Sequence, residues 1–232
     1  MEIQSPIECK VVKRLNRFVV EIKVDNLREK AYINNTGRLS ELLVENKTGY
    51  CLKNSKPLKT SYRLFAISDH ELAALIDTQL QMKAFEKALI NNFIPWLKEC
   101  EIIGRNVQLG KSKIDYLVKC MNKRIYVEVK SAVLRGNERY AMYPDCPSVR
   151  GRRHILELLS NLSKGGFSIL LFIAALPKVD AFRPNREGDP EISKLIKRGI
   201  KRGLIVKAIS MCYDPRSSVV RLDNPNLKVE LE

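Results

Sequence analysis

Lys113-Ile114-Asp115-Tyr116-Leu117-Val118 and Arg124-Ile125-Tyr126-Val127-Glu128-Val129-Lys130-Ser131 are two largely apolar runs separated by the short polar turn Met121-Asn122-Lys123, which folds them into a hairpin. On a strand, side chains two residues apart return to the same face. Glu128 and Lys130 therefore project together with Tyr126, while Ile125, Val127 and Val129 point the other way into a core. The hairpin carries Asp115 back alongside Glu128. Charged residues in such a run are costly to bury unless they are used. Two carboxylates and an ammonium meeting at one point form a candidate site for a hard cation. Magnesium takes oxygen ligands and commonly binds through one or two carboxylates with waters and substrate phosphate. The ion would polarise a phosphodiester, and the lysine beside it would orient water or stabilise charge on the phosphate. The competing reading is an exposed salt-bridge cluster contributing little.

Charge points the same way. The 232 residues carry 41 Lys+Arg against 26 Asp+Glu, a formal net charge of +15 with a sequence pI of about 9.6. That balance suits a polyanionic partner, nucleic acid before a membrane surface. No apolar run approaches the roughly 20 residues needed to span a bilayer; the longest, residues 167–176, reads as a buried strand. The N-terminus lacks the charged and apolar regions of a signal peptide, so a cytoplasmic location is the expectation. Six cysteines (9, 51, 100, 120, 146 and 212) are scattered singly and read as buried small residues. Neither His70 nor His154 lies at zinc-ligand spacing from a cysteine. No Walker-type loop and no Gly-x-Gly-x-x-Gly is present.

Outward from the hairpin, residues 1–68 read as short strands. These are a β-rich stretch over 11–25, residues 31–33 leading into the turn Asn34-Asn35-Thr36-Gly37, then 41–45 and 61–67. The Lys-rich connection 46–60 reads as an exposed loop. Such a set suggests a small OB-type barrel. Residues 69–232 form a second unit. Leu80, Ala84, Phe85, Ala88, Leu89 and Phe93 fall at helical spacing, with Pro95 at the end. Strands are predicted at about 101–109, 112–120 and 124–134. A helix follows from the N-cap Ser148 to the stop Gly165-Gly166, then the buried strand 167–176. Asp189-Pro190 opens another helix, and residues 204–213 form a further strand. The order α-β-β-β-α-β-α-β describes a mixed α/β domain.

Three basic clusters are candidates for nucleic acid. Lys194, Lys197, Arg198, Lys201 and Arg202 share one helix face, opposite Ile192, Leu195, Ile196 and Ile200. Arg150, Arg152, Arg153 and His154 lie at a helix start, where anions are favoured. Lys10, Lys13, Arg14 and Arg17 decorate the first strand. Tyr32 and Tyr62 are candidates for base stacking. Contacts mainly to phosphates make for salt-sensitive binding with little sequence preference.

Over nearly its full length the chain resembles the sugar fermentation stimulation protein (SfsA) family of bacteria and archaea. The resemblance rests on Asn16-Arg17-Phe18, Asn35-Thr36-Gly37, Lys113-Ile114-Asp115-Tyr116, Tyr126-Val127-Glu128-Val129-Lys130-Ser131, Tyr143-Pro144-Asp145 and the run from Val149 through Arg150, His154 and Glu157 to Leu158. It implies an N-terminal OB-fold joined to a PD-(D/E)xK nuclease-like mixed sheet flanked by helices. It also implies DNA binding without sequence preference and a link to the regulation of sugar metabolism. Asp115, Glu128 and Lys130 fall on the nuclease motif, with Ile114 in place of its proline. Under this resemblance Asp115, Glu128 and the Val129 carbonyl would hold Mg²⁺ or Mn²⁺, Lys130 would position water, and Glu86 on the first helix would join the catalytic set. His154 is a candidate general acid. The alternatives are a non-catalytic DNA-binding regulator with a vestigial site, and an RNA-directed protein.

Overall fold

In the computed structural model, which describes residues 1–54 and 59–231, the first half closes into a barrel. Its strands are β1 (Ile7–Arg14), β2 (Val19–Val24), β3 (Leu27–Tyr32), β4 (Thr48–Lys53) and β5 (Tyr62–Asp69). β1 pairs with β2 and β4, β2 with β3, β3 with β5 in parallel, and β5 with β4, so the ring has five members. Alternation drives it: Val20, Ile22 and Val24 point inward while their neighbours face solvent.

Two expectations fail here. Residues 41–45 form turns rather than a strand. Leu39 and Leu42 are buried, yet the amides of Leu42 and Leu43 both bond back to the Leu39 carbonyl (3.1 and 2.9 Å), a coiled geometry in which the apolar residues pack without pairing. The Lys-rich connection contains β4, whose inward residues are only Gly49 and Cys51, too small to give an apolar signal. A Cβ on Gly49 would meet Leu64 at 2.8 Å and Cys9 Sγ at 3.1 Å, so the barrel interior leaves no room for a larger residue. Residues 55–58 of that expected loop lie outside the described residues.

β6 (Leu72–Leu75) pairs with β5 on one side and with a strand of the second sheet on the other, joining the two halves. The second half runs α1 (Thr78–Ile90), β7 (Cys100–Leu109), β8 (Ser112–Cys120), β9 (Lys123–Ala132), β10 (Leu134–Gly136), β11 (Tyr140–Tyr143), α2 (Val149–Ser163), β12 (Phe167–Ala174), β13 (Ala181–Pro184), α3 (Pro190–Ile200), β14 (Ile205–Asp214) and β15 (Val219–Val229). β7, β8 and β9 are antiparallel, β9 pairs in parallel with β12, and β12 in parallel with β14. β12 is buried on both faces, as its unbroken apolar run requires.

β10, β11, β13 and β15 go beyond the expected order. They are short, or carry few buried residues: β15, with Asp223, Asn224 and Pro225 in its middle, buries Val220 and Leu227. The cysteine expectation holds for the buried Cys9, Cys51 and Cys212 and needs correction for Cys100, Cys120 and the half-buried Cys146. Cys100 and Cys120 are direct partners across β7–β8 and form a disulfide (S–S 2.02 Å), while Cys9 and Cys51 face each other in the barrel with sulfurs 3.2 Å apart. Among the described residues no helix is long and apolar enough to cross a membrane.

The β8–β9 register pairs Tyr116 with Val127, which sets Asp115 opposite Glu128. Tyr116 packs against Phe85 of α1, whereas Glu128 meets His154 of α2. Asp115 and Glu128 therefore share the α2 face of the sheet, opposite Tyr116 and α1.

Candidate active site

Glu128 is 1% exposed, an unusual fate for a carboxylate without partners. Its Oε1 accepts from Lys130 Nζ at 2.5 Å and from the Nδ1–H of His154. Arg150 Nε donates to His154 Nε2 at 3.3 Å. Since a guanidinium only donates, His154 Nε2 is the acceptor there, and its Nδ1–H is aimed at Glu128. Glu128 Oε2 is buried with no hydrogen-bond partner among the described residues. Asp115 stands beside it, with Oδ2 accepting from the Val129 amide at 2.8 Å.

The electrostatics separate the two acids. Burial, then the Glu128 charge, pushes the Asp115 carboxyl up to about 6. For Glu128 burial pushes up as well, but Lys130 and His154 outweigh it and hold the carboxyl below its ordinary range. Lys130 loses to burial and gains more from Glu128 and Tyr143, so its ammonium is held charged. A divalent cation suits this set: two adjacent carboxylates, one reluctant to ionise, and an orphaned buried oxygen that lacks a positive partner. No three His, Cys, Asp or Glu side chains are grouped as a metal cage among the described residues, so waters, backbone or substrate oxygens must complete any coordination.

The acids open into a cleft of about 380 Å³ built from both halves of the chain. One wall carries Asp115, Glu128, Lys130 and Ser131, and another carries Tyr143 to Ser148 with Arg150 and His154. The barrel contributes Arg17 and the loop Asn34 to Gly37. That loop is held firmly. Arg14 donates to the carbonyls of Gly37 (2.5 Å), Arg38 (2.6 Å), Asn16 (3.0 Å) and Arg17 (2.8 Å), and Asp145 accepts from the Leu39 amide at 3.3 Å. Asn34 bonds to Thr78 and to Asp77, the N-cap of α1.

Of the residues singled out from sequence, Asp115, Glu128, the Val129 backbone, Lys130, Arg17, Arg150 and His154 line this cleft. Glu86 is not brought to Glu128. Its carboxylate is taken by Arg105 (3.0 and 2.7 Å) and the Tyr116 hydroxyl (2.9 Å), and it lines a neighbouring cleft that shares Asp115. Arg14 spends its donors on backbone carbonyls, Arg152 is paired through Nε with the buried Asp189 at 3.0 and 2.9 Å, and neither lines this cleft. His154 is 2% exposed with both ring nitrogens engaged, which removes it as a phosphate contact or a general acid. Arg153 is exposed off the cleft, as are Lys194 (paired with Glu191 at 2.8 Å), Arg198, Lys201 and Arg202, with Lys197 partly covered.

Sequence reasoning missed the barrel loop and Tyr143 as cleft walls. The Asn-rich turn and Tyr-Pro-Asp stood out in the chain, but only the long-range contact between Asp145 and Leu39 reveals that they face one site. Glu157, left unassigned, accepts from the Lys111 amide at 2.8 Å and braces the β7–β8 turn.

An OB barrel joined to a mixed sheet flanked by helices, with Asp115 opposite Glu128-Val129-Lys130, defines a two-part protein. The chain belongs to the sugar fermentation stimulation protein (SfsA) family: residues 12–76 match the SfsA N-terminal OB domain and residues 79–217 match the sugar fermentation stimulation protein RE domain. Sugar fermentation stimulation protein homologs from Archaeoglobus fulgidus and Pyrococcus furiosus are 49% and 44% identical, over 98% and 95% of this chain and 97% and 95% of theirs. The chain is similar throughout to the solved structure of Pyrococcus furiosus SfsA in complex with Ca²⁺ (42% identity, TM-score 0.95, covering 99% of this chain and 98% of that one).

Proposed function

We propose that this protein binds DNA without sequence preference and hydrolyses phosphodiesters at Asp115, Glu128 and Lys130, with a divalent cation, Mg²⁺ or Mn²⁺. The observation that carries the reading is the buried, unpartnered Glu128 Oε2 beside the reluctantly ionised Asp115. The Ca²⁺ complex of the Pyrococcus furiosus relative supports a divalent cation in the family. Asp115, Glu128 and the Val129 carbonyl would hold the ion, which when bound supplies positive charge to a phosphodiester and lowers the pKa of water.

The chain's own residues do the rest. Lys130, held protonated by Glu128, is no base at neutral pH; its ammonium orients water and offsets charge developing on the phosphate. His154, anchored by Arg150, keeps Glu128 Oε1 in place and leaves Oε2 for the cation. Arg17 of the barrel and Arg150 of α2, both lining the cleft, would contact the backbone phosphates. The barrel, residues 1–68, guides the strand and residues 69–232 cut it.

A second reading, a non-catalytic DNA-binding regulator, is favoured by the tight Lys130–Glu128 pair, which already neutralises one carboxylate. The discriminating test is cleavage of single- and double-stranded DNA and RNA with Mg²⁺, Mn²⁺ or EDTA. Metal-dependent cutting lost in both Asp115→Ala and Lys130→Ala establishes the nuclease. Binding without cutting, unchanged in both variants, leaves the regulator.

A further inference from the structure

The turn between β1 and β2 places an aromatic ring in solvent. Phe18 is 44% exposed, although the neighbouring barrel positions Val20 and Ile22 are fully buried. A lone exposed apolar side chain is ordinary; one on a backbone locked from several directions is not. The Phe18 amide donates to Asn16 Oδ1 at 2.9 Å, and its carbonyl accepts from the Ile33 amide at 2.9 Å. Arg14 holds the carbonyls of Asn16 and Arg17, within the turn and just before Phe18, and those of Gly37 and Arg38 in the cleft loop. The Arg17 guanidinium lies 5.8 Å from the Phe18 ring centre and lines the cleft that holds Asp115, Glu128 and Lys130. An exposed ring carried on a fixed backbone, a cation beside it and a polar cleft next door, on a chain of net charge +15, match an unpaired nucleobase with its flanking phosphate.

We infer that Arg17 and Phe18 form a stacking subsite for one unpaired base at the mouth of the cleft, Phe18 taking the base and Arg17 the adjacent phosphate, so that a single strand is preferred to an intact duplex. This rests on the nucleic-acid reading above and adds the form of substrate. In a duplex both base faces are already stacked and Phe18 finds no partner, whereas Arg17 still finds a phosphate. Stacking tolerates any base, consistent with binding that ignores sequence.

The test measures anisotropy of fluorescent oligo(dT), oligo(rU) and a blunt DNA duplex in EDTA, with the intact protein, Phe18→Ala, Phe18→Leu and Phe18→Trp. Unfolding midpoints serve as the control, since an exposed side chain can be exchanged without unfolding the barrel. Phe18→Ala and Phe18→Leu are expected to weaken single-strand binding about tenfold. Duplex binding stays within about twofold, and Phe18→Trp restores or tightens the single-strand complex. Equal losses on oligo(dT) and oligo(rU) make the subsite indifferent to the sugar; a loss on one alone assigns it to DNA or to RNA. Single-strand binding unchanged in Phe18→Ala, or a loss shared equally with the duplex, overturns the subsite while the nucleic-acid reading stands. An intact protein that binds none of the three probes overturns both.

Discussion

At Glu128, one carboxylate oxygen is held by Lys130 and His154 and the other by nothing among the described residues, while Asp115 opposite keeps its proton up to about 6. Burial is the larger cause of that rise and the Glu128 charge the smaller. An acid with a raised value binds more protons folded than unfolded between the ordinary aspartate value, near 3.9, and about 6. Stability of the metal-free protein therefore falls as pH rises through that window, by roughly 3 kcal/mol at most for this group. Asp115→Asn keeps an oxygen for the Val129 amide and removes the penalty. It is expected to melt above the intact metal-free protein at pH 7 and level with it at pH 4, read by calorimetry; equal melting at both would refute the coupling. His154 acts one step further out. His154→Leu is expected to weaken divalent-cation affinity about 10- to 100-fold, and His154→Asn, whose amide can still donate to Glu128, to recover part of it.

Among the elements, α1 shows how local signals and tertiary contacts divide the work. Its N-cap Asp77 is fully buried and accepts from the Leu80 amide at 2.9 Å, from both Nε and Nη2 of Arg63 on β5, and from Asn34 of the cleft loop at 2.8 Å. One carboxylate thus starts a helix and ties it to the barrel. Asp77→Ala removes the cap and strands Arg63, an expected loss of about 3 kcal/mol in denaturant unfolding; a loss under about 1 kcal/mol would show that the tie is incidental. The tie from Asp77 to the barrel was not legible in the sequence, because those partners lie 14 and 43 residues away. The β8–β9 hairpin was legible, since alternation and a short turn fix its register, and with it Asp115 opposite Glu128. β4 and β15 were not, because small or polar residues occupy their length. Glu86, plausible by helix position, was claimed by Arg105 of β7, a helix-to-strand contact 19 residues away that no spacing reveals.

For the molecule as a whole, with its +15 charge, the proposed nucleic-acid binding is expected to weaken linearly on a log–log plot against salt. Arg17→Ala is expected to reduce that slope by about one. Arg14→Ala and Arg152→Ala leave the slope unchanged and lower the unfolding midpoint, because their donors serve carbonyls and Asp189. β6 hydrogen-bonds to both sheets, and one core cluster includes Ile22 and Phe65 of the barrel with Val127 and Phe172 of the second half. The halves are therefore expected to unfold together, giving one calorimetric transition rather than two. The central claim is that Asp115 and Glu128 make a divalent-cation site, and titration calorimetry of Mn²⁺ into the intact protein, Asp115→Asn and Glu128→Gln tests it most directly. Binding to the intact protein that is lost in both variants is the predicted result; equal binding in all three, or none to the intact protein, would contradict it.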